Sequence, residues 1–530
     1  MRVFRSTFLL PLLLIISSTA TASPAVSVTS AAADLTKVAE HDRCHVRYQS
    51  IFHIPVKDRD AFVRSYAFVV NSLSRKARLR RPSDLLVAPD LIRIDLRDFK
   101  WDAKVYDRLA TIDPYFHATV AVEEAEVVEE DQHIDEPWPG GVWPGDGNYY
   151  AKGAFKTRRT VKVQKQVGSG KVRKDVGTAP WLPADKMTYL LEQTQSKCPI
   201  LRADWFLKQV STQEGAIAGY YDFLGLKSRD DYFQLIGFDK KAAQDREREV
   251  ATIVLKSGVS EYPRQIFRFG ANDGGSWQTK DVFNRTTADR NAVNALDGDL
   301  KHQAERHYGL LSNGLFAYYL CDAQGKQQNF APPEVGSDST ASNNGMRIHI
   351  FKSCVSCHKE GLKPIKDVGR VIWRDRNKLV VASTKDHEEA KKKFDRLEQL
   401  YLLPYQPLFD RDNAQFTQTI AELNGADWTT SKNSLTFARI YKEWAETDVD
   451  TVQAALEVGD GLTDKLLIAA LKKWGTPKKD GGMGQILPPT LQFFTREDEL
   501  GRAAPLPMLR EHFEEVYPII QYAVRGIVPK

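Results

Sequence analysis

Cys354, Cys357 and His358 form the run Cys-Val-Ser-Cys-His inside Phe351–Lys359, and C-x-x-C-H is the attachment signature of c-type haem. The spacing has a physical reason. On a helical turn, residues three and four apart share a face, so both thiols reach the two vinyl groups along one porphyrin edge and form thioethers. His358 follows the second thiol directly and can turn its imidazole to the iron, which leaves the potential to the opposite ligand and to burial. The expected cofactor is therefore one covalent haem c held by Cys354 and Cys357, with its iron on His358. Two other uses of these residues compete. A structural zinc needs four ligands, and no second close Cys/His pair with zinc spacing is visible. A redox dithiol fits a thioredoxin-like βαβ setting, whereas helical patterning follows this pair.

The sixth iron ligand is open. Met483 lies in Gly481-Gly-Met-Gly484 ahead of Pro488-Pro489, a turn-rich loop able to present a thioether. It is far from the motif in sequence, and a Met between glycines is commonly loop or core. Met346, His349, His387, Met508 and an open distal position are the alternatives. Lys352, Lys359, Lys363, Lys366 and Arg370 surround the motif. A basic rim at a haem edge steers an acidic redox partner, although an ordinary solvated face reads the same way.

The elements that must position these residues begin after a leader. Arg2 and Arg5 precede an apolar run from Phe8 to Ile16, then Ser and Thr, then Ala20-Thr21-Ala22. That order predicts a secretory signal over residues 1–22 and an exported protein, periplasmic or extracellular, starting near Ser23. The run is short for a membrane anchor, and no later stretch approaches about 18 apolar residues, so no transmembrane segment is expected after cleavage. Removing the two leader arginines takes the formal charge from +5 to about +3, which implies no nucleic-acid partner. With 42% hydrophobic residues the chain can bury large cores and is not of disordered composition. Cys44, Cys198 and Cys321 complete the five cysteines. In an exported chain they predict one disulfide and one buried thiol, with no basis for choosing the pair.

The length predicts about three domains. Residues 23–43 lack a clear period and read as a flexible lead. Residues 44–120 read as a small α/β domain, with a helix over Ala61–Leu73 and a strand over Leu91–Phe99 in which Ile92, Ile94 and Leu96 alternate with charged residues. Residues 121–180 are a charged insertion. Eight acids in Glu123–Glu136 and nine basic residues in Lys152–Lys174 flank a Pro/Gly/Trp stretch, which predicts a surface hairpin or a loop folding back on itself. Residues 181–335 read as an α+β middle domain, with helical pieces such as Asp245–Leu255. A hairpin joins Tyr308–Leu311 to Leu315–Cys321 through Asn313-Gly314. Residues 327–345 read as a linker. Residues 336–530 read as an all-α, cytochrome c-like haem domain, with helical spacing at Ala390, Phe394, Leu397 and Tyr401, at Phe416, Ile420 and Leu423, and over Thr463–Trp474. The fold class expected is thus multidomain: α+β N-terminal and middle regions, then an all-α haem domain.

The chain resembles the large exported bacterial cytochrome c domain-containing proteins that carry a single late C-x-x-C-H. The matching stretches are Asn71 to Ser74, Arg93 to Trp101, Asp113 to Tyr115, Leu201 to Phe206, Ser257 to Ser260, Leu311 to Leu315 and Cys354 to Gly361. The resemblance implies thioether roles for Cys354 and Cys357 and iron ligation by His358. The chain departs from that group in its charged segment and in a longer spacer from Asn344-Gly345 to Cys354. Trp101, Trp205 and Asp204 fall within these stretches and read as packing. No G-x-S-x-G elbow, P-loop, H-E-x-x-H or dinucleotide fingerprint is present. Two functions follow as expectations. One is one-electron transfer to a protein redox partner. The other is a single-haem peroxidase-like or oxidase-like enzyme, or a gas-binding sensor, with an open distal site.

Overall fold

The computed structural model describes residues 23–121, 128–132, 159–163, 173–213, 218–238, 248–255, 263–271, 274–281, 302–331, 348–382, 387–425, 446–474 and 489–526. The leader, Met346 and Met483 lie outside them. The protein is mixed α/β with several sheets, and one hydrophobic cluster runs through it from Val28 to Ala523. No helix among the described residues is long and apolar enough to cross a membrane.

The N-terminal sheet is built from β1 (Val46–Ser50), β2 (Leu86–Ala88), β3 (Leu91–Asp95) and, from farther along the chain, β8 (Ile200–Arg202), in the order β2-β3-β1-β8. β1 runs antiparallel to β3 and parallel to β8. Ile92 and Ile94 are buried as their alternation requires. The strand stops earlier than Phe99, because the Asp95 carboxylate accepts from Arg97 N and starts a helical turn over Leu96–Phe99. The expected helix is present at Arg59–Ser72.

Residues 24–35 correct the expectation of a flexible lead. They form a helix whose Val28, Ala31 and Leu35 are fully buried. Ser23 caps it by accepting from Val26 N, and Pro24 sits at the first helical position, where a missing N–H costs nothing. Its small residues let it approach closely: Ser27 Oγ lies 2.7 Å from Ser50 Oγ on β1.

In the charged segment, β4 (His117–Ala121) pairs with β7 (Arg173–Thr178), and β5 (Val128–Gln132) pairs with β6 (Arg159–Val163). Glu129 faces Lys162 across the strands. Residues 128–132 of the acidic stretch thus pair with residues 159–163 of the basic one.

The second large sheet is an antiparallel meander of β9 (Arg248–Val254), β10 (Arg264–Ala271), β11 (Gly274–Asp281), β12 (Ala304–Leu310) and β13 (Phe316–Asp322). β9 replaces the helix expected over Asp245–Leu255. Val250 and Ile253 are β-branched, and the whole strand is laddered onto β10, which the local spacing does not reveal. The β12–β13 hairpin turns at Asn313-Gly314 as expected. Gly314 takes φ +82, and the Asn313 side chain accepts from Leu315 N at 3.0 Å.

β14 (Phe330–Ala331) and β15 (Ile348–His349) pair antiparallel and bring the two ends of residues 332–347 together. Beyond β15 the described elements are helices, among them Lys352–His358, His387–Leu402, Gln406–Asn424, Thr451–Val458, Asp464–Trp474 and Arg510–Arg525. The helices His387–Leu402 and Gln406–Asn424 pack on the meander, whereas Thr451–Val458, Asp464–Trp474 and Arg510–Arg525 pack on one another. Asp412 accepts from both Arg268 Nε and Nη2 at 2.9 Å and from Trp277 Nε1 at 2.8 Å, all buried.

The expected disulfide is not formed: all five cysteines are thiols. The Cys198 thiol donates to Ile200 O, and Cys321 lies beside Glu305 and His307 within the meander.

Candidate functional site

The motif occupies the short helix Lys352–His358. Its start is held tightly. Phe351 takes φ +62 and ψ −63, with Lys352 N donating to Ile350 O at 2.8 Å, a γ-turn that is strained for a residue with a side chain. Its surroundings compensate: the Phe351 ring is fully buried and stacks on Tyr220 at 4.8 Å. Ser353 Oγ accepts from His349 N at 3.0 Å and ties the helix to β15.

One helical turn later, Cys354, Cys357 and His358 all line a single cavity with about 1060 Å³ of empty space, its open mouth included. The helix supplies one wall, together with Leu362, Lys363, Ile365 and Phe409. The meander supplies the other through Val254, Arg264, Ile266, Trp277, Thr279, Arg306 and Tyr308. These strand residues share one sheet face, because the registers place Ile266 opposite Thr279, Trp277 opposite Tyr308 and Thr279 opposite Arg306. The cavity beside the motif is therefore not enclosed by helices alone; half of its wall comes from strands well upstream of the motif.

His358 is oriented as a ligand would be. Its Nδ1 lies 3.2 Å from Gly361 O, a contact that suits an Nδ1–H donor and leaves Nε2 as the coordinating atom. Burial pushes its pKa down to about 4, so the ring is neutral at pH 7. The Tyr308 ring sits 4.9 Å from the imidazole. Gly361 itself takes φ +104, and a Cβ there would meet Asn413 Oδ1 at 2.5 Å. The closeness is used: Asn413 accepts from Leu362 N at 2.7 Å and fixes the turn that carries the carbonyl.

Two cations in the wall meet at one carboxylate. Arg264 and Arg306 share Asp281 at 3.1 and 2.6 Å, and Arg306 Nη2 is buried with no hydrogen-bond partner among the described residues. Burial, then the charge of Arg306, lowers the Arg264 pKa to about 10. A largely apolar cavity with two thiols, a neutral imidazole and two arginines fits a haem, whose rings are apolar and whose propionates are anionic. Cys354 and Cys357 would hold its edge, His358 its iron, and Arg264 and Arg306 its propionates.

Of the sixth-ligand candidates, His349 and Met508 are buried and His387 is exposed at a helix start. None of the three is among the cavity-lining residues. The basic residues around the motif are partly neutralised: Lys352 pairs with Glu446, Lys363 with Glu360 and Arg370 with Asp367.

Sequence reasoning missed Arg264, Trp277, Arg306 and Tyr308. The strand alternation that aligns them is hidden because their other neighbours in sequence, such as Phe267 and His307, are buried on the opposite face. Trp101 and Trp205 are core residues, as expected, and Trp101 Nε1 donates to Leu73 O. Asp204 does more than pack. It joins Arg202, His53, Glu457 and Arg510 in a buried ionic network between β8 and the C-terminal helices. Comparison of the chain with protein families, with curated proteins and with solved structures finds no match.

Proposed function

We propose that this chain is an exported c-type cytochrome that passes single electrons to a protein partner through one covalently bound haem. The observation that carries the reading is the convergence of Cys354, Cys357 and a neutral, carbonyl-oriented His358 on one largely apolar cavity lined also by two buried arginines. A haem bound there would supply Fe(III)/Fe(II) one-electron chemistry. The protein's own residues do the rest. The two thiols fix the group in place, His358 Nε2 binds the iron while Gly361 O holds the tautomer, and the β10–β12 face keeps water away from the porphyrin. In this reading the helices after β15 act as a cytochrome c-like haem domain completed by the meander. The family resemblance points the same way.

A second reading has an observation of its own. Beside His358, the described residues lining the cavity include no histidine or methionine, and face it with Arg264, Arg306, Tyr308 and Lys363. An open distal position of that polarity suits a gas-binding sensor or a peroxidase-like enzyme.

Produced with a haem-maturation system, the wild type should keep its haem through denaturing electrophoresis, and Cys354→Ser with Cys357→Ser should lose the stain. A wild type without covalent haem overturns the proposal. Carbon monoxide added to the reduced protein then separates the two readings. Slow or absent binding supports the carrier, and rapid binding together with peroxide turnover supports the enzyme.

A further inference from the structure

β12 alternates, so while Arg306 and Tyr308 face the cavity, Glu305 and His307 face the other side of the sheet. There Glu305 is the cross-strand partner of Cys321 on β13. The donor atoms converge. His307 Nε2 lies 3.1 Å from Glu305 Oε2, and Cys321 Sγ lies 3.6 Å from the same oxygen and 3.8 Å from His307 Nε2. His302 Nε2 lies 2.9 Å from Glu305 Oε1. A tetrahedral zinc ion with Zn–S of about 2.3 Å and Zn–N of about 2.0 Å has edges between its ligands of roughly 3.3–3.6 Å. These separations are within a few tenths of an ångström of that.

We propose that Glu305, His307 and Cys321 bind a zinc ion on the face of the meander turned away from the haem cavity, with water as the fourth ligand and His302 positioning the Glu305 carboxylate through Oε1. The donor set is of the borderline type zinc takes, one thiolate with an imidazole and a carboxylate. The site is rigid before any ion arrives. The His307 ring is held between Tyr232, Phe233 and Tyr319 at 5.4, 5.6 and 6.1 Å, and Arg229 bonds the Glu305 carboxylate at 2.9 Å from outside, as an orienting partner does. Binding is a simple exchange: the zinc ion enters and the Cys321 thiol releases its proton to solvent. Two negative ligands then neutralise the ion's charge inside the protein. The bound ion would lock the β12–β13 hairpin, and with it the strand that presents Arg306 and Tyr308 to the cavity.

The proposal is independent of haem attachment and is tested on the full-length protein with cobalt as the probe. Titration should give one tight equivalent with the visible bands of a tetrahedral ion and a near-ultraviolet thiolate-to-cobalt band. Cys321→Ser should abolish the thiolate band and weaken binding roughly 100-fold, and His302→Ala, at the rim of the cluster, should weaken it roughly 10-fold. The double variant Cys354→Ser, Cys357→Ser should keep the band, which excludes the motif as its source. Far-ultraviolet circular dichroism checks the fold of each variant. If Cys321→Ser does not fold, His302→Ala decides alone, and an unchanged cobalt affinity in it overturns the site. A thiolate band that is absent from the wild type, survives Cys321→Ser, or vanishes with Cys354 and Cys357 also overturns it.

Discussion

Two groups of buried charges serve the molecule differently. In the network between β8 and the C-terminal helices, Arg202 and Arg510 meet Asp204 and Glu457, and every one of the four is at least 96% buried. Two cations face two anions, and His53 adds a hydrogen-bonding ring 3.1 Å from Asp204. In the cavity wall, Arg264 and Arg306 share the single carboxylate of Asp281. A buried charge is tolerated only when paired. The first group therefore closes on itself and ties two parts of the chain together, whereas the second turns its arginines toward a cavity. What a cluster of buried charges faces separates the two where burial alone does not.

The largest expected effect comes from breaking the balance. Glu457→Ala leaves Arg202 and Arg510 without their shared carboxylate and should cost about 3–5 kcal/mol in urea unfolding. A loss below about 1 kcal/mol would show that the network is not holding the C-terminal helices. Acid should break the same group more gently. Burial alone would raise the Glu457 pKa, but the charges of Arg202 and Arg510 outweigh it and lower it to about 2. A carboxylate depressed in the folded state stabilises fully above its ordinary pKa. The contribution should fade as pH drops from about 4.5 toward 2. Thermal melts across that window should show a slope that Glu457→Gln flattens.

Removing a cation from the cavity wall should do less to stability and more to chemistry. Arg306→Met leaves Asp281 still paired with Arg264, so the haem-free protein should change by no more than about 1 kcal/mol. With haem attached, loss of a nearby cation favours the oxidised iron, and the midpoint potential should fall by roughly 50 mV, about 1 kcal/mol for one electron. An unchanged potential would remove Arg306 from the haem environment. The smallest effect belongs to the exposed rim. Because Lys363 already has Glu360 beside it, the triple variant of Lys359, Lys363 and Lys366 to Ala should slow reduction of an anionic oxidant by less than about 3-fold, and only at low salt.

The candidate site was legible in the sequence because it is local: two thiols and an imidazole within five positions need no distant partner to be recognised. The N-terminal strand β3, the helices at Arg59 and His387 and the hairpin at Asn313-Gly314 were legible for the same reason. What escaped depends on distance. Arg202 and Glu457 are separated by 255 positions and Arg268 and Asp412 by 144, and no spacing rule links them. β9 was read as a helix because its partner β10 decides its conformation. The first helix was read as a flexible lead because small residues give a weak period, although they pack closely once β1 is beside them. The strand wall facing the motif was not legible either, since it comes from residues that precede the motif in sequence.

The pairing of Phe330 with His349 and of Ala331 with Ile348 has a consequence for engineering and for descent. It staples the chain on both sides of residues 332–347, so the length of that stretch is uncoupled from the position of Cys354. Insertions or a tag placed between residues 336 and 342 should leave the motif helix in register. A lineage could lengthen its spacer there without relocating Cys354.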